Sequence, residues 1–152
     1  MVVHLKATWY PDPMPDPSGT LPVSLKRRRW ITAGLLLVPH GAQKLFGWFG
    51  GYGLEATGQY FESIGFPASM ALPVGLTEFV GGLALALGLG TRIAAGFIAG
   101  FLAVAVTQHY AAGFFWNDGG FEYPLLWGIV ALGFVIRGGG RYSVDAAIGR
   151  EI

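Results

Sequence analysis

The sequence predicts an all-α integral membrane protein. The expected architecture is a four-helix bundle with a short interfacial helix between its first and second spans and a Pro-rich N-terminal arm. Three observations predict it. Apolar residues make up 53% of the 152 positions and charged residues only 12%, against roughly 45–50% and 25% in an ordinary soluble domain. Gly occurs 25 times and aromatic residues reach 14%, as in packed transmembrane helices with interfacial rings. Four apolar stretches are separated by Gly- and Pro-marked breaks. The length allows one domain. With no Cys, disulfides, thiol relays, thiolate-held iron–sulfur clusters and c-type haem are excluded. A net charge of +1 gives no basic surface for phosphates, so nucleic acid is not an expected partner.

In residues 1–25, Pro11, Pro13, Pro15, Pro17 and Pro22 stand among Asp12, Asp16, Ser18 and Gly19. This composition forbids helix and favours an extended arm. It cannot bury itself, so we expect it to lie against another membrane subunit. Lys26, Arg27, Arg28 and Arg29 follow as a basic anchor, which closes a first region at 1–29. The apolar run 30–49 is ~20 residues, enough to cross a ~30 Å hydrocarbon core. No small-residue cleavage site follows it, so it reads as a span and not as a removed signal. Residues 50–69 hold Glu55 and Glu62 among Leu54, Tyr60, Phe61 and Ile64 between glycine breaks, the pattern of a short interfacial helix. Further spans are expected at 71–90, 93–115 and 123–136. The second and third should form a tight hairpin around Gly90, Thr91 and Arg92. The bundle thus occupies 30–136 and a C-terminal tail 137–152.

Lys and Arg near span ends are retained on the cytoplasmic side. With four spans, residues 26–29, Arg92, Arg137, Arg141 and Arg150 fall on one side, whereas 50–69 and 116–121 contain neither residue. Both termini are therefore expected in the cytoplasm. Gly75, Gly81, Gly82 and Gly88, Gly96 and Gly100, and Gly128 and Gly133 are distributed over the later spans. Gly96-x-x-x-Gly100 in particular would let a neighbouring helix approach closely.

Ionisable residues inside spans carry the functional signal, because each costs ~2.5–3.5 kcal/mol at a helix centre and tends to be paired or functional. Counting from the span ends puts Lys44, Glu78 and His109 ~7–11 Å below the outer boundary. His40 lies one turn from Lys44 on the same helix face. Glu122 stands at the outer start of the fourth span. Two His, one Lys and two Glu can exchange protons while aromatic walls hold a flat ring. A structural reading stays open beside this one: Lys44 and Glu78 as a buried ion pair fixing helix register, and His109 as a packing residue. His40, Glu78, His109 and Glu122 could chemically bind a metal. They match no metal motif, however, and Lys44 would put a cation among them, so no metal site is expected.

Several ordered blocks resemble the DoxX family of small four-helix membrane proteins of bacteria and archaea: His40-Gly41-x-x-Lys44-Leu45-Phe46-Gly47, Phe49-Gly50-Gly51-x-Gly53, Gly65-Phe66-Pro67, Glu78-x-x-Gly81-Gly82, Gly90-Thr91-Arg92, His109-x-x-x-Gly113-Phe114, Gly119-Gly120-x-Glu122-Tyr123 and Gly140-Arg141-Tyr142-Ser143-Val144-Asp145. The likeness covers residues 30–146 and leaves the arm outside it. It implies a multi-pass protein of the cytoplasmic membrane, associated with a quinol oxidase, a thiosulfate:quinone oxidoreductase or another membrane redox complex. It also implies a quinone or quinol near His40, Lys44, Glu78, His109 and Glu122. On this basis Glu78 and His109 are expected to handle protons, and His40, Lys44 and Glu122 to bind the ligand. The absence of Cys argues against direct sulfur transfer. The alternative is a non-catalytic accessory subunit that stabilises a larger membrane complex.

Overall fold

A computed structural model of the chain describes residues 23–140 and 143–149. The expected arm up to residue 22, the side chains of the basic anchor, Arg141 and Arg150 lie outside the described residues. Everything described is helix or turn, with no strand among the described residues. The helices are α1 (Val23–Phe46), α2 (Gly53–Ser63), α3 (Ala71–Leu87), α4 (Thr91–His109), α5 (Glu122–Arg137) and a single turn, α6 (Val144–Ala147).

Helix ends depart from the sequence reading where glycine dictates them. α1 already includes residues 23–29, placed by the sequence in the arm and anchor, and runs through Pro39. It stops at Phe46, three residues short of the expected end, because Gly47 turns left-handed at φ 72°. α3 stops at Leu87. Gly88 adopts φ 67° there, and the amides of Gly88 and Leu89 return to the carbonyls of Leu85 and Ala84. That C-cap leaves only Gly88, Leu89 and Gly90 between α3 and α4, the tight hairpin that the sequence implied. α4 ends at His109, and a loop leads to α5. This loop is laced by amide-to-carbonyl bonds from Phe121 to Gly113 (3.0 Å) and from Glu122 to Phe114 (2.9 Å).

Two stretches, Ala68–Leu87 and Thr91–Ala112, are long and apolar enough to cross a membrane, with mean hydropathies of 1.7 and 1.5. Only 33% and 22% of these windows is buried inside the molecule, so most of their apolar surface faces outward. α5 also turns an apolar stripe outward, with Leu125, Ile129, Leu132 and Ile136 all exposed.

α1 packs antiparallel on α3, and α4 on α5. The α1/α3 seam is made by glycine. A Cβ on Gly34 would run into the backbone of Gly82 and Ala86, and one on Gly41 into the backbone of Phe79. Leu45 lies over Gly75, 2.6 Å from where a Cβ would stand. Such seams bring two helix backbones together and gain dispersion contacts along their length. Gly96 and Gly100, expected to serve the same purpose, do not: a Cβ at either meets nothing within 4 Å. The side of α4 that carries them faces open space, because α5 and α3 pack against its Ala95, Ile98, Ala99 and Leu102 side instead.

The core gathers at the end of the bundle near the α3–α4 turn, from Ala33 and Leu37 of α1, Leu85 of α3, Ala95, Ile98 and Leu102 of α4, and Ala131 of α5. Residues 143–149 fold back onto the same end. Asp145, 2% exposed, accepts from Gly90 N (2.6 Å), Thr91 N (2.9 Å) and Thr91 Oγ1 (2.8 Å), while its own amide donates to Gly88 O (3.0 Å). The first amides of a helix have no partner within it, and Asp145 supplies one from 54 residues away. Burial by itself raises the Asp145 carboxyl pKa, but the hydrogen bonds from Thr91 and Gly90 outweigh it and hold the group below its ordinary value.

Candidate functional site

Away from this core the two helix pairs part around an open cavity of about 900 Å³, lined along α4 from Arg92 to His109 and reaching Trp116 at the other end of the bundle. Its wall includes His40 and Lys44 from α1, Glu78 from α3 and His109 from α4. Each position follows from helical spacing. His40 and Lys44 are one turn apart on the face of α1 next to α3. Glu78 lies two turns into α3, three residues after Gly75, where the close seam holds it against α1. His109 is the last residue of α4.

Lys44 Nζ donates to Glu78 Oε2 at 2.6 Å. The lysine side chain is 26% exposed and the glutamate side chain 6%, and both residues belong to the cavity wall. His40 is exposed within the same space. On the facing side, His109 Nδ1 lies 2.7 Å from Gly119 O. A carbonyl only accepts, so Nδ1 carries the proton and Nε2 of the neutral ring is left as the basic nitrogen. The loop thus fixes the tautomer, and the ring is further held 5.5 Å from the Trp116 ring.

Glu122 is not part of the cavity wall. Its Oε2 accepts from the Trp116 amide at 3.2 Å, which ties the α4–α5 loop to the start of α5 and so supports the seat of His109. Gln108, a neighbour of His109, does reach the wall.

Sequence reasoning missed the α5 side of the site. Tyr123 and Trp127, one turn apart, line the cavity, and their rings lie 6.1 Å from each other. Trp127 Nε1 is buried and is the one buried side-chain polar atom without a hydrogen-bond partner among the described residues. An unpaired buried donor costs ~1–3 kcal/mol. A tryptophan inside a predicted span was the available signal. Tyr60 and Phe61 of α2 close the cavity on another side.

Among the described residues no three His, Cys, Asp or Glu side chains come together in a way that could hold a metal ion. Polar groups on different walls, one of them carrying the Lys44–Glu78 pair, suit a ligand that both accepts and donates hydrogen bonds. A flat aromatic ring with oxygens at opposite ends has that chemistry.

A model of the DoxX family matches residues 29–112. Among curated proteins, the chain is 32% identical over 96 residues to "Putative oxidoreductase CatD" of Bacillus subtilis, covering 63% of this chain and 67% of that one. It is 38% identical over 108 residues to "Inner membrane protein YqjF" of Escherichia coli, covering 69% and 82%. No solved structure matches.

Proposed function

Since the chain belongs to the DoxX family of membrane proteins, we propose that it is a four-span subunit of a membrane redox complex that holds a quinone or quinol in the cavity near Trp116. The observation that carries this reading is a single cavity of about 900 Å³ with the Lys44–Glu78 pair and His40 in one wall and His109 in another. The oxidoreductase name of one relative points to the same class of chemistry.

Four spans are supported by the outward apolar faces of α3, α4 and α5 and by Leu35 and Leu36 on α1. Lipid is the solvent in which such surfaces are stable. In that arrangement α2 lies along the interface. Arg92, Arg137 and residues 26–29 mark one end, and Lys44 is the single Lys or Arg between residues 30 and 91. Basic residues stay on the cytoplasmic side, so both termini face the cytoplasm and the cavity opens in the outer half of the membrane. The chain sits beside a partner subunit. That partner carries the redox centre, since a quinol gives up two electrons together with two protons.

The proton share falls to this chain. His109 Nε2 accepts a hydroxyl proton from a quinol, or returns one as imidazolium to the reduced ring. Glu78 does the same on the other side, with Lys44 balancing its charge. His40 and the ammonium of Lys44 orient the oxygens. Trp116 and Tyr123 give the ring aromatic faces to lie against.

Binding is tested by quenching of tryptophan fluorescence with a tail-less benzoquinone in the purified protein. Saturable quenching that weakens in Glu78→Gln and His109→Ala is expected, with quinone-dependent turnover lowered in an assembled complex of normal yield. Unchanged binding and turnover in both variants would remove the reading. The 2.6 Å Lys44–Glu78 bond across the α1/α3 contact also favours a second reading, a non-catalytic accessory subunit whose polar layer locks the helices. Under it the same substitutions lower thermal stability and complex yield, and the quinone has no effect.

A further inference from the structure

The cavity is open to the exterior and not sealed within the bundle. Along α4 its lining includes every fourth residue from Arg92 through Gly96, Gly100 and Val104 to Gln108, a ridge that rises ~24 Å while winding about 160° round the helix, so that Gly96 and Gly100 share a face but the two ends of the ridge do not. Beside that ridge Phe97 is 67% exposed, and Val104 within it 46%, which makes this side of α4 part of the outer surface as well as of the cavity. Val74 and Thr77 of α3 and Leu36 and Leu37 of α1 belong to the same lining. The space therefore extends from the polar wall, over Gly96 and Gly100, to the apolar exterior. Gly96 and Gly100 keep the opening clear. Nothing lies within 4 Å of a Cβ at either position, so neither glycine is explained by a packed neighbour, and both cost helix stability relative to alanine.

We infer that the ligand is a long-tailed membrane quinone whose ring passes sideways from the bilayer into the cavity and whose tail remains in the slot over Gly96 and Gly100 of α4. This rests on the quinone reading above and adds to it the ligand class and the route of entry. The selection is steric: a hydrocarbon tail gains little over lipid by lying in an apolar slot, but a ring cannot stay in the cavity unless its tail has a way out. Side chains that fill the slot exclude the tailed molecule and leave room for the bare ring.

Two benzoquinones, one with a decyl tail and one without, are titrated against the protein in nanodiscs, with affinities corrected for partition into lipid. The wild-type protein binds both within a few-fold of each other. In Gly96→Leu/Gly100→Leu, affinity for the tailed quinone drops about tenfold or more, the equivalent of overpacking a filled site, while the tail-less quinone still binds and so reports an intact ring site. Gly96→Ala/Gly100→Ala, which adds one methyl group at each position, is expected to fold as the wild type does and to show a smaller loss in the same direction. Equal loss of both ligands, or of neither, in the leucine variant overturns the slot. Failure of the wild type to bind either quinone overturns the quinone reading itself. Release of a bound phospholipid by the leucine variant, with no change in quinone discrimination, would assign the slot to an acyl chain and likewise overturn the proposal.

Discussion

The two ends of the bundle use the same materials differently. Toward the α3–α4 turn, glycine lies against backbone, as Gly34 does against Gly82 and Ala86. There the buried carboxylate of Asp145 has three donors within 2.9 Å. Toward Trp116 the seam glycines still meet backbone, as Gly41 does at Phe79, but on the outward face of α4 glycine lies against space at Gly96 and Gly100, and the polar groups keep unused capacity: His109 Nε2 is left free by the Gly119 bond, and Trp127 Nε1 has no partner among the described residues. A glycine pattern in an apolar helix therefore does not by itself mean close packing. It means that the backbone is accessible, and the arrangement of the other helices decides whether a helix or a cavity takes up that access. The satisfied end specifies the fold; the unsatisfied end is where a ligand has something to contribute.

The sharpest way to break this contrast is Gly34→Val. The new side chain meets backbone, which cannot rotate away, so the variant should lose more than about 3 kcal/mol and fail to give a cooperative thermal transition. Lys44→Met comes next. It leaves Glu78, 4% exposed, without its partner, and should cost about 3 kcal/mol. Lys44→Met/Glu78→Leu should recover most of that stability while quinone binding stays lost. If the double variant still bound quinone, the pair would belong to the packed end's logic and not to the site's.

Asp145→Ala strips the α4 N-terminus of its acceptor and should cost about 2 kcal/mol, read from the melting temperature. The same carboxylate gives a pH signature. Its pKa is lowered on folding, so its contribution is complete above the ~3.9 of a free aspartate and is lost as pH falls through the lower folded value. Acid titration of the wild type should show a stability loss below about pH 4 that is reduced in Asp145→Asn. The smallest effect belongs to Gly96→Ala, expected to leave stability unchanged or to raise it by up to about 1 kcal/mol through helix propensity. A clear loss there would show that α4 packs on that face after all.

Much of this was legible from one sequence because it depends on local chemistry. The apolar runs and their glycine breaks located α3 and α5 to within three residues, and α4 apart from its C-terminal end, which lies at His109 and not at 115. A tight α3–α4 turn was read from Gly90, Thr91 and Arg92, two residues later than the observed turn at 88–90. The ionisable residues His40, Lys44, Glu78 and His109 stood out because charge is costly in an apolar helix, and all four line the cavity. Other features were not legible. Nothing local distinguishes Gly34 from Gly96, since both are small residues on apolar helices. Nor does anything local reveal that Asp145, in a segment read as a tail, caps a helix 54 residues earlier. Glu122 looked like a member of the cluster by depth, yet its carboxylate turns to the Trp116 amide.

What the sequence alone determined is composition and period: an all-helical chain of the DoxX kind, with a few ionisable groups at comparable depth in separate helices. Tertiary structure alone decided which faces meet. It joined Lys44 to Glu78, aimed His109 Nδ1 at a carbonyl, left Trp127 unpaired and opened one side of α4. The physical reason is that helix formation and membrane partition depend on neighbours along the chain, whereas the rotation of each helix about its axis is set by contacts with residues distant in sequence. A rotation of one residue, about 100°, is enough to exchange a packed seam for an open wall.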